Sequence, residues 1–527
     1  MQKQKEQMTL TVLYTSDVHG NVLPKLYGNN EKAELGLAKY ASAVKQKRLQ
    51  NNPLIVIDNG DLIQGTPLMT HYVKEHQDKE NPMVGIMNRI NIDAGVIGNH
   101  EFNFGKQVFQ QAVEASNYPW LSANIVDAVT KEPKFGPPYI IKTLDQGIKI
   151  AIVGVTTHYI PNWEAPKHIE GIAFLDAYST LKHWVNVIKQ EENPDLLIAC
   201  YHGGLEKDPV TGEATEALTG ENQGYKMCTE IKGIDILLTG HQHRTFVEKI
   251  NGTLVLQPGS SCQFYGEVTV TFAKQESKWK PIHKEGKLHS LEQFEADDEI
   301  LSYIETLETS TQRWLDKPIG YVNGDMTITD PFQARVRKHP FIEFIHRVQM
   351  EASGVDISVA SLLNNHSAGF SSVVTMRDIV SNYMYPNTLV VLELTGKDIK
   401  EALEKSAEYF VLDNDGEIAV NPVFAKPKPQ HYNYDMWEGI EYEIRVSEPF
   451  GSRVRHITYH GKPLKEDQTY HVVLNNYRAS GGGNFKMFQQ KPIVKEIQKD
   501  MVELIREYFE KYETITATVH ENFAVKK

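Results

Sequence analysis

The chain has 527 residues, 41% hydrophobic and 23% charged, which is too long for one core and ordinary enough in composition to be globular. Its 55 Lys plus Arg against 68 Asp plus Glu leave a formal charge of −13, which argues against general affinity for nucleic-acid backbone or an anionic membrane surface. The 3 cysteines, Cys200, Cys228 and Cys262, are too few and scattered for a disulfide framework or a CxxC zinc site, and read as buried apolar thiols.

The opening MQKQKEQMTLTVLYTSD passes from a polar lead into a strand without the apolar stretch of a signal peptide. No apolar run reaches the ~18 residues of a membrane span. A cytoplasmic protein is expected, or an exported one if a leader has been removed. The first half then alternates short apolar runs with helical patterns. Strands are expected at Leu10–Tyr14, Leu54–Asp58, Ala94–Ile97, Lys149–Val155, Leu196–Cys200 and Asp235–Thr239, and helical spacing recurs at Ala33–Arg48 and Tyr178–Glu191. Such alternation predicts a layered α/β domain, and the near-continuous apolar strands should be buried on both faces. Around Lys274–Gly286 the composition turns polar, and His289–Trp314 reads as a long linker helix before Pro318 and Gly320. Beyond it come a helix at Phe341–Ala352, a strand at Val355–Ala360, the strand TLVVLEL with a helix at Gly396–Ala407, and strands at Tyr442–Val446 and Tyr470–Leu474.

The carboxyl ends of the early strands carry chemistry. LTVLY leads to Asp17 and His19, LIVID to Asn59-Gly60-Asp61, AGVI to Gly98-Asn99-His100-Glu101, LLIAC to His202-Gly203-Gly204, and DILLT to Gly240-His241-Gln242-His243. Each alone has a plainer explanation: Asp17 as a helix N-cap, His202 as a turn residue, His241 and His243 as loop surface. Five strand ends doing so together is another matter, because ligands of open α/β sheets gather at the carboxyl ends of strands. Two aspartates, an asparagine and four histidines form an oxygen and nitrogen set without thiolate, suited to divalent first-row ions and too large for one closed tetrahedral site.

In this order D-x-H, GD, GNHE, H-G-G and GH-x-H resemble the calcineurin-like metallophosphoesterases. NNYRASGGGNF (Asn475–Phe485) and YNYDMWEG (Tyr432–Gly439) resemble the C-terminal substrate domain of the bacterial 5'-nucleotidase superfamily. The resemblance implies an α/β protein with a four-layer α/β/β/α metallophosphoesterase domain over 1–286, a linker helix over 287–318 and an α/β substrate-binding domain over 319–527. It implies two divalent metal ions, of Mn, Zn, Co or Fe, one held by Asp17, His19, Asp61 and His243, the other by Asp61, Asn99, His202 and His241. Asp61 would bridge. His100 would assist the leaving group, and Asn103 takes the place at which the 5'-nucleotidase branch has an aspartate paired with that histidine. Tyr434 and Phe485 would stack a nucleotide base, with Asn364 and Gly482 as further substrate-binding positions and the glycine run holding Phe485 on an exposed loop.

The GNHEFN form, the GHQH ending and NNYRASGGG look most like the 2',3'-cyclic-nucleotide 2'-phosphodiesterase/3'-nucleotidase branch. LLNNHSAGFSS (Leu362–Ser372) also lacks the arginine of the 5'-nucleotidase branch. The implied activity is hydrolysis of such nucleotides by a metal-bridging hydroxide. The alternative is a 5'-nucleotidase or nucleotide-sugar hydrolase, and the partner is a small nucleotide rather than nucleic acid or membrane. A binuclear amidohydrolase would open with H-x-H instead of D-x-H, and a binding protein with a decayed site would not keep every ligand position filled.

Overall fold

The structure is a computed structural model describing residues 6–215, 218–275, 278–383, 387–426 and 429–527. It divides into two compact units, Met1–Thr311 and Gln312–Lys527. In the first unit, strands β1 (Gln7–Thr15), β2 (Leu54–Asp58), β3 (Ala94–Val96), β4 (Trp120–Leu121), β5 (Tyr139–Thr143), β6 (Lys149–Thr156), β7 (Leu196–His202), β8 (Ile236–Thr239), β9 (Thr245–Ile250), β10 (Thr253–Pro258), β11 (Phe264–Gln275) and β12 (Lys278–Ser290) form two six-stranded sheets. Their orders are β12-β11-β1-β2-β3-β4 and β9-β10-β8-β7-β6-β5.

Both sheets have parallel centres and antiparallel margins. β1 through β4 run parallel, as do β6, β7, β8 and β10. Alternate residues of each sheet face the other. Leu10, Val12, Tyr14, Ile55 and Ile57 share one core with Ile150, Ile152, Ile198, Cys200, Ile236 and Leu238. The remaining positions of the second sheet, among them Ala151, Val153 and Ala199, pack against Tyr178, Leu181, Val185 and Ile188 of helix α2 (Ala177–Glu191). Helix α1 (Leu37–Arg48) lies against β2 on the other side. The expected α/β/β/α layering results, and period-2 alternation explains it, since apolar residues on both faces need a partner layer on each.

The expected linker helix is shorter than its polar pattern suggests. Residues 287–290 complete β12, whose pairing with β11 runs to Phe264↔Ser290, and helix α3 spans Asp298–Leu315. The alternation of β12, half-exposed at a sheet margin, mimics the exposed face of a helix. The boundary between the two units falls inside α3.

In the second unit, helices α4 (Pro331–Val336) and α5 (Pro340–Ser353) precede β13 (Ser358–Ser361), β14 (Thr388–Thr395) precedes helix α6 (Gly396–Ala407), and β15 (Asp435–Glu438), β16 (Thr469–Asn475) and β17 (Ile493–Asp500) complete a sheet of order β15-β13-β16-β14-β17. The strand at Ile440–Arg445 belongs to a separate four-stranded sheet, so the two late strands expected from sequence lie in different sheets. Among the described residues no helix is long and apolar enough to cross a membrane.

Candidate active site

The loops after β1, β2, β3, β7 and β8 meet at one edge of the first unit. One ligand atom each from Asp17, His19 and His243 lies within 4.8 Å of the others, and the same holds for Asp61, His202 and His241. Asn99 joins the second group, its Oδ1 standing 3.2 Å from His202 Nε2 and 2.9 Å from His241 Nδ1. Asp61 faces both groups through one oxygen, Oδ2, which is 3.2 Å from His202 Nε2 and 3.9 Å from His19 Nε2.

The backbone is bent hard to achieve this. Asp17, His19, Asp61, His241 and His243 all take positive φ, between 50° and 68°. Side-chain-bearing residues seldom adopt that region, and its concentration here marks a site whose geometry is held by its surroundings. Part of that hold is Glu101, which accepts hydrogen bonds from the backbone N–H of Asp61 (2.9 Å), Leu62 (2.6 Å), Ile63 (3.3 Å) and Gly98 (2.6 Å). Glycine is needed at 98 because a Cβ there would run into the Asp61 carboxylate and backbone N. Sequence reading assigns Glu101 no role; its place in GNHE was the available signal, but a buried carboxylate bonded only to backbone leaves no periodic trace.

The donor set fits cations. His19 Nδ1 lies 3.1 Å from the Gln64 carbonyl and His202 Nδ1 2.7 Å from the Asn59 carbonyl. Because a carbonyl only accepts, each ring must carry a proton on Nδ1, which leaves Nε2 as the nitrogen turned inward. His19 Nε2 and His243 Nε2 then stand 3.0 Å apart, with Asp17 Oδ1 3.4 Å from the latter. Burial holds His19 down at about 3, so it stays neutral as a ligand must. His202 differs: burial pulls it down, but the Asp61 charge and hydrogen bond raise it to about 10. A proton there occupies the position a cation would take. Burial alone would raise Asp17 and Asp61, yet His243 and His202 on the first, and His202 and His100 on the second, hold both carboxyls below the usual carboxylate range. His241 offers Nδ1, its Nε2 being 2.9 Å from Glu221 Oε1, and the Trp163 ring stacks on it at 5.3 Å and 26°.

His100 stands beside this cluster, its ring edge-on to His19 at 5.2 Å, while its backbone N–H donates to Asp61 Oδ1 (2.7 Å). His100 Nδ1 is 2.5 Å from Asn103 Oδ1.

The second unit departs from expectation in its aromatics. Tyr434 and Phe485 are both fully buried. Tyr434 stacks on Tyr409 (5.2 Å, 27°), and Phe485 on Phe488 (5.8 Å, 8°) with the Arg478 guanidinium 4.0 Å from its ring centre. Neither face is open to a base, and Phe485 is not on an exposed loop. The half-exposed rings of the same two motifs are Tyr432 and Tyr477, 6.3 Å apart at 74°. Arg478, itself buried, ties the motifs together: it pairs with Asp435 (2.8 Å), donates to Tyr432 O (2.8 Å) and Asn433 Oδ1 (3.2 Å), and reaches Gly482 O. Gly482 is thereby a buried backbone acceptor. Gly483 takes φ 70°, and a Cβ there would collide with Asn433 and Arg478.

Asn364 turns its side chain on its own loop, accepting from His366 N (2.7 Å) and Ser367 Oγ (3.3 Å). The loop lacks an arginine of its own but receives one. Arg335 of α4, fully buried, donates to Asn365 Oδ1 (2.8 Å), Leu362 O (2.9 Å) and Asn364 O (3.5 Å).

Comparison with known proteins agrees with the geometry. Residues 10–245 match the calcineurin-like phosphoesterase family and residues 318–490 the 5'-nucleotidase C-terminal domain. A putative 5'-nucleotidase from Staphylococcus aureus, solved in complex with alpha-ketoglutarate, is 36% identical with a TM-score of 0.90, covering 98% of this chain and 100% of that one. The chain is a calcineurin-like metallophosphoesterase of the 5'-nucleotidase superfamily. Among other members, the trifunctional nucleotide phosphoesterase YfkN of Bacillus subtilis is 28% identical over 98% of this chain, which spans only 39% of that protein's length. The 2',3'-cyclic-nucleotide 2'-phosphodiesterase/3'-nucleotidase of Salmonella typhimurium is 28% identical over 90% of this chain and 81% of its own. The strand-end cluster of the first unit, Asp17 to His243, falls within the stretch that matches the calcineurin-like phosphoesterase family.

Proposed function

We propose that this metallophosphoesterase uses two divalent cations to hydrolyse 2',3'-cyclic nucleotides and nucleoside 3'-phosphates. The observation that carries the reading is that Asp17, His19 and His243 form one close ligand group and Asp61, His202 and His241 another, with Asp61 Oδ2 facing both, an arrangement that would suit two adjoining cations sharing one carboxylate. Asp17, His19, Asp61 and His243 would hold one ion and Asp61, Asn99, His202 and His241 the other. When bound, such a pair neutralises phosphoryl oxygens and lowers the pKa of a bound water towards about 7.

The chain's own groups do the rest. Asp61 is oriented by the His100 backbone N–H and by Glu101, so that Oδ2 remains turned to both clusters. His100 delivers a proton from Nε2 to the departing ribose oxygen, a leaving group too basic to depart unaided. Tyr432 and Tyr477, the half-exposed rings of the two motifs, would be the ones to touch a base, rather than the buried Tyr434 and Phe485. Asn103 in place of a carboxylate, with the relatives named for 2',3'-cyclic substrates, favours the cyclic and 3' reading. The name of the Staphylococcus aureus relative favours a 5'-nucleotidase as the second. Rates on 2',3'-cyclic AMP, 3'-AMP, 5'-AMP and UDP-glucose with added manganese, zinc or cobalt separate them: cyclic and 3' substrates should lead, and a lead by 5'-AMP overturns the first reading.

A further inference from the structure

Behind His100 the hydrogen bonds continue. Asn103 Nδ2 donates to Glu164 Oε2 (2.7 Å). The other oxygen, Oε1, accepts from Ala165 N (2.9 Å) and lies 2.7 Å from His168 Nδ1. The Glu164 side chain is only 6% exposed, in a loop between the 3-10 turns Ile160–Asn162 and Pro166–His168. The same loop lays Trp163 on His241, so it braces the site on two sides.

An amide in isolation turns either end towards an imidazole. A carboxylate accepts and never donates, so Glu164 obliges Asn103 to show it the NH₂ end, and the carbonyl end must then face His100. That carbonyl, 2.5 Å from Nδ1, demands a proton on Nδ1. Were the amide reversed, its NH₂ would oppose that N–H, and the hydrogen bond that holds the ring would be lost.

We propose that Glu164 is a positioning residue for the reaction, keying the Asn103 amide so that His100 keeps its Nδ1 proton and presents Nε2 to the leaving oxygen. This rests on His100 as the proton donor of the proposed function. Glu164 itself touches neither substrate nor cation site.

Two measurements test it on the metal-loaded, full-length protein. Glu164→Ala should cut kcat on a nucleoside 3'-phosphate about 10- to 100-fold, part of the 10²–10⁴ that a positioned proton donor supplies, while 4-nitrophenyl phosphate, whose leaving group needs no proton, falls about threefold at most. In an Asn103→Leu background, Glu164→Ala should add nothing further to the loss, since the link it acts through is gone. Equal losses on both leaving groups, or losses that multiply in the double variant, overturn the proposal. Glu164→Ala strands half-buried donors and need not fold, so the second measurement uses wild type. In zinc-loaded protein with ¹⁵N-labelled histidine, the His100 ring signal, assigned by its disappearance in His100→Gln, should report a protonated Nδ1. An unprotonated Nδ1 overturns the proposal. If wild type hydrolyses no nucleotide, the functional reading fails, and an unprotonated Nδ1 would still overturn the keying by Glu164.

Discussion

The two units place their recognisable motifs under opposite constraints. In the first, every motif residue sits where a loop leaves a parallel strand, five of them with left-handed backbone, and their polar atoms converge although sequence separates them by more than 200 positions. In the second, the motif aromatics mostly fill core: Tyr434 and Phe485 are fully buried, and Arg478 ties the glycine-rich loop to the strand carrying Asp435. Polar side chains at strand ends have few structural uses that would bring them together, so their type and spacing indicate a site. A ring packs as well against phenylalanine as against a base, so its type alone does not.

The sharpest way to break this contrast is Asp61→Ala. One carboxylate oxygen faces both candidate cation positions, so its loss should abolish turnover and leave the protein unable to hold a pair of ions, measured by steady-state assay and metal analysis. Full activity with two ions retained would show that the convergence has no chemical consequence. Gly98→Ala approaches the same carboxylate from behind. Its added methyl meets the Asp61 side chain, so activity should fall sharply while thermal denaturation shows a cost of about 1–3 kcal/mol, typical of overpacking.

The legibility of the sequence divides along the same line. The six early strands stand within a few residues of expectation because apolar runs buried on both faces leave little ambiguity. The seven proposed ligands were readable because D-x-H, GD, GNHE, H-G-G and GH-x-H interrupt those runs with groups that have no place in a core. Three things were not readable. The start of α3 was hidden by the polar margin strand β12. Glu101 bonds only to backbone, so GNHE marks the residue without showing what it holds. Glu164 acts across 61 positions on Asn103, and nothing local marks it. Arg335 illustrates the limit: the loop 362–372 carries no arginine, yet one arrives from a helix some 30 residues earlier.

The second unit supplies a graded test. Phe485→Ala should empty a stacked core position and cost about 3–5 kcal/mol of stability, seen in denaturant unfolding, with little change in KM in whatever remains folded. Tyr477→Ala should do the reverse. A lost stacking contact of about 1–3 kcal/mol raises KM for a nucleotide roughly 5- to 150-fold, leaving the unfolding midpoint nearly in place. If Phe485→Ala raises KM at unchanged stability, the buried ring is the base reader after all, and the contrast between the units disappears.

The smallest effect expected concerns the strand that delivers His202. Cys200 lies two residues earlier on β7, facing the core between the sheets, and burial pushes its thiol far above the ordinary value. Cys228 is pushed up to about 12 and Cys262 higher still, in both cases chiefly by burial. A thiolate forms only as pH rises through the thiol pKa, so at pH 8, where an ordinary thiol near 8.5 is already partly ionised, these three stay protonated. Native protein should therefore leave a thiol-titrating disulfide reagent unreacted and keep its activity, while unfolding in guanidinium releases all three. Rapid reaction at Cys200 in the native state would mean that the strand opens beside His202, and that the first unit's site rests on a looser core than its geometry implies.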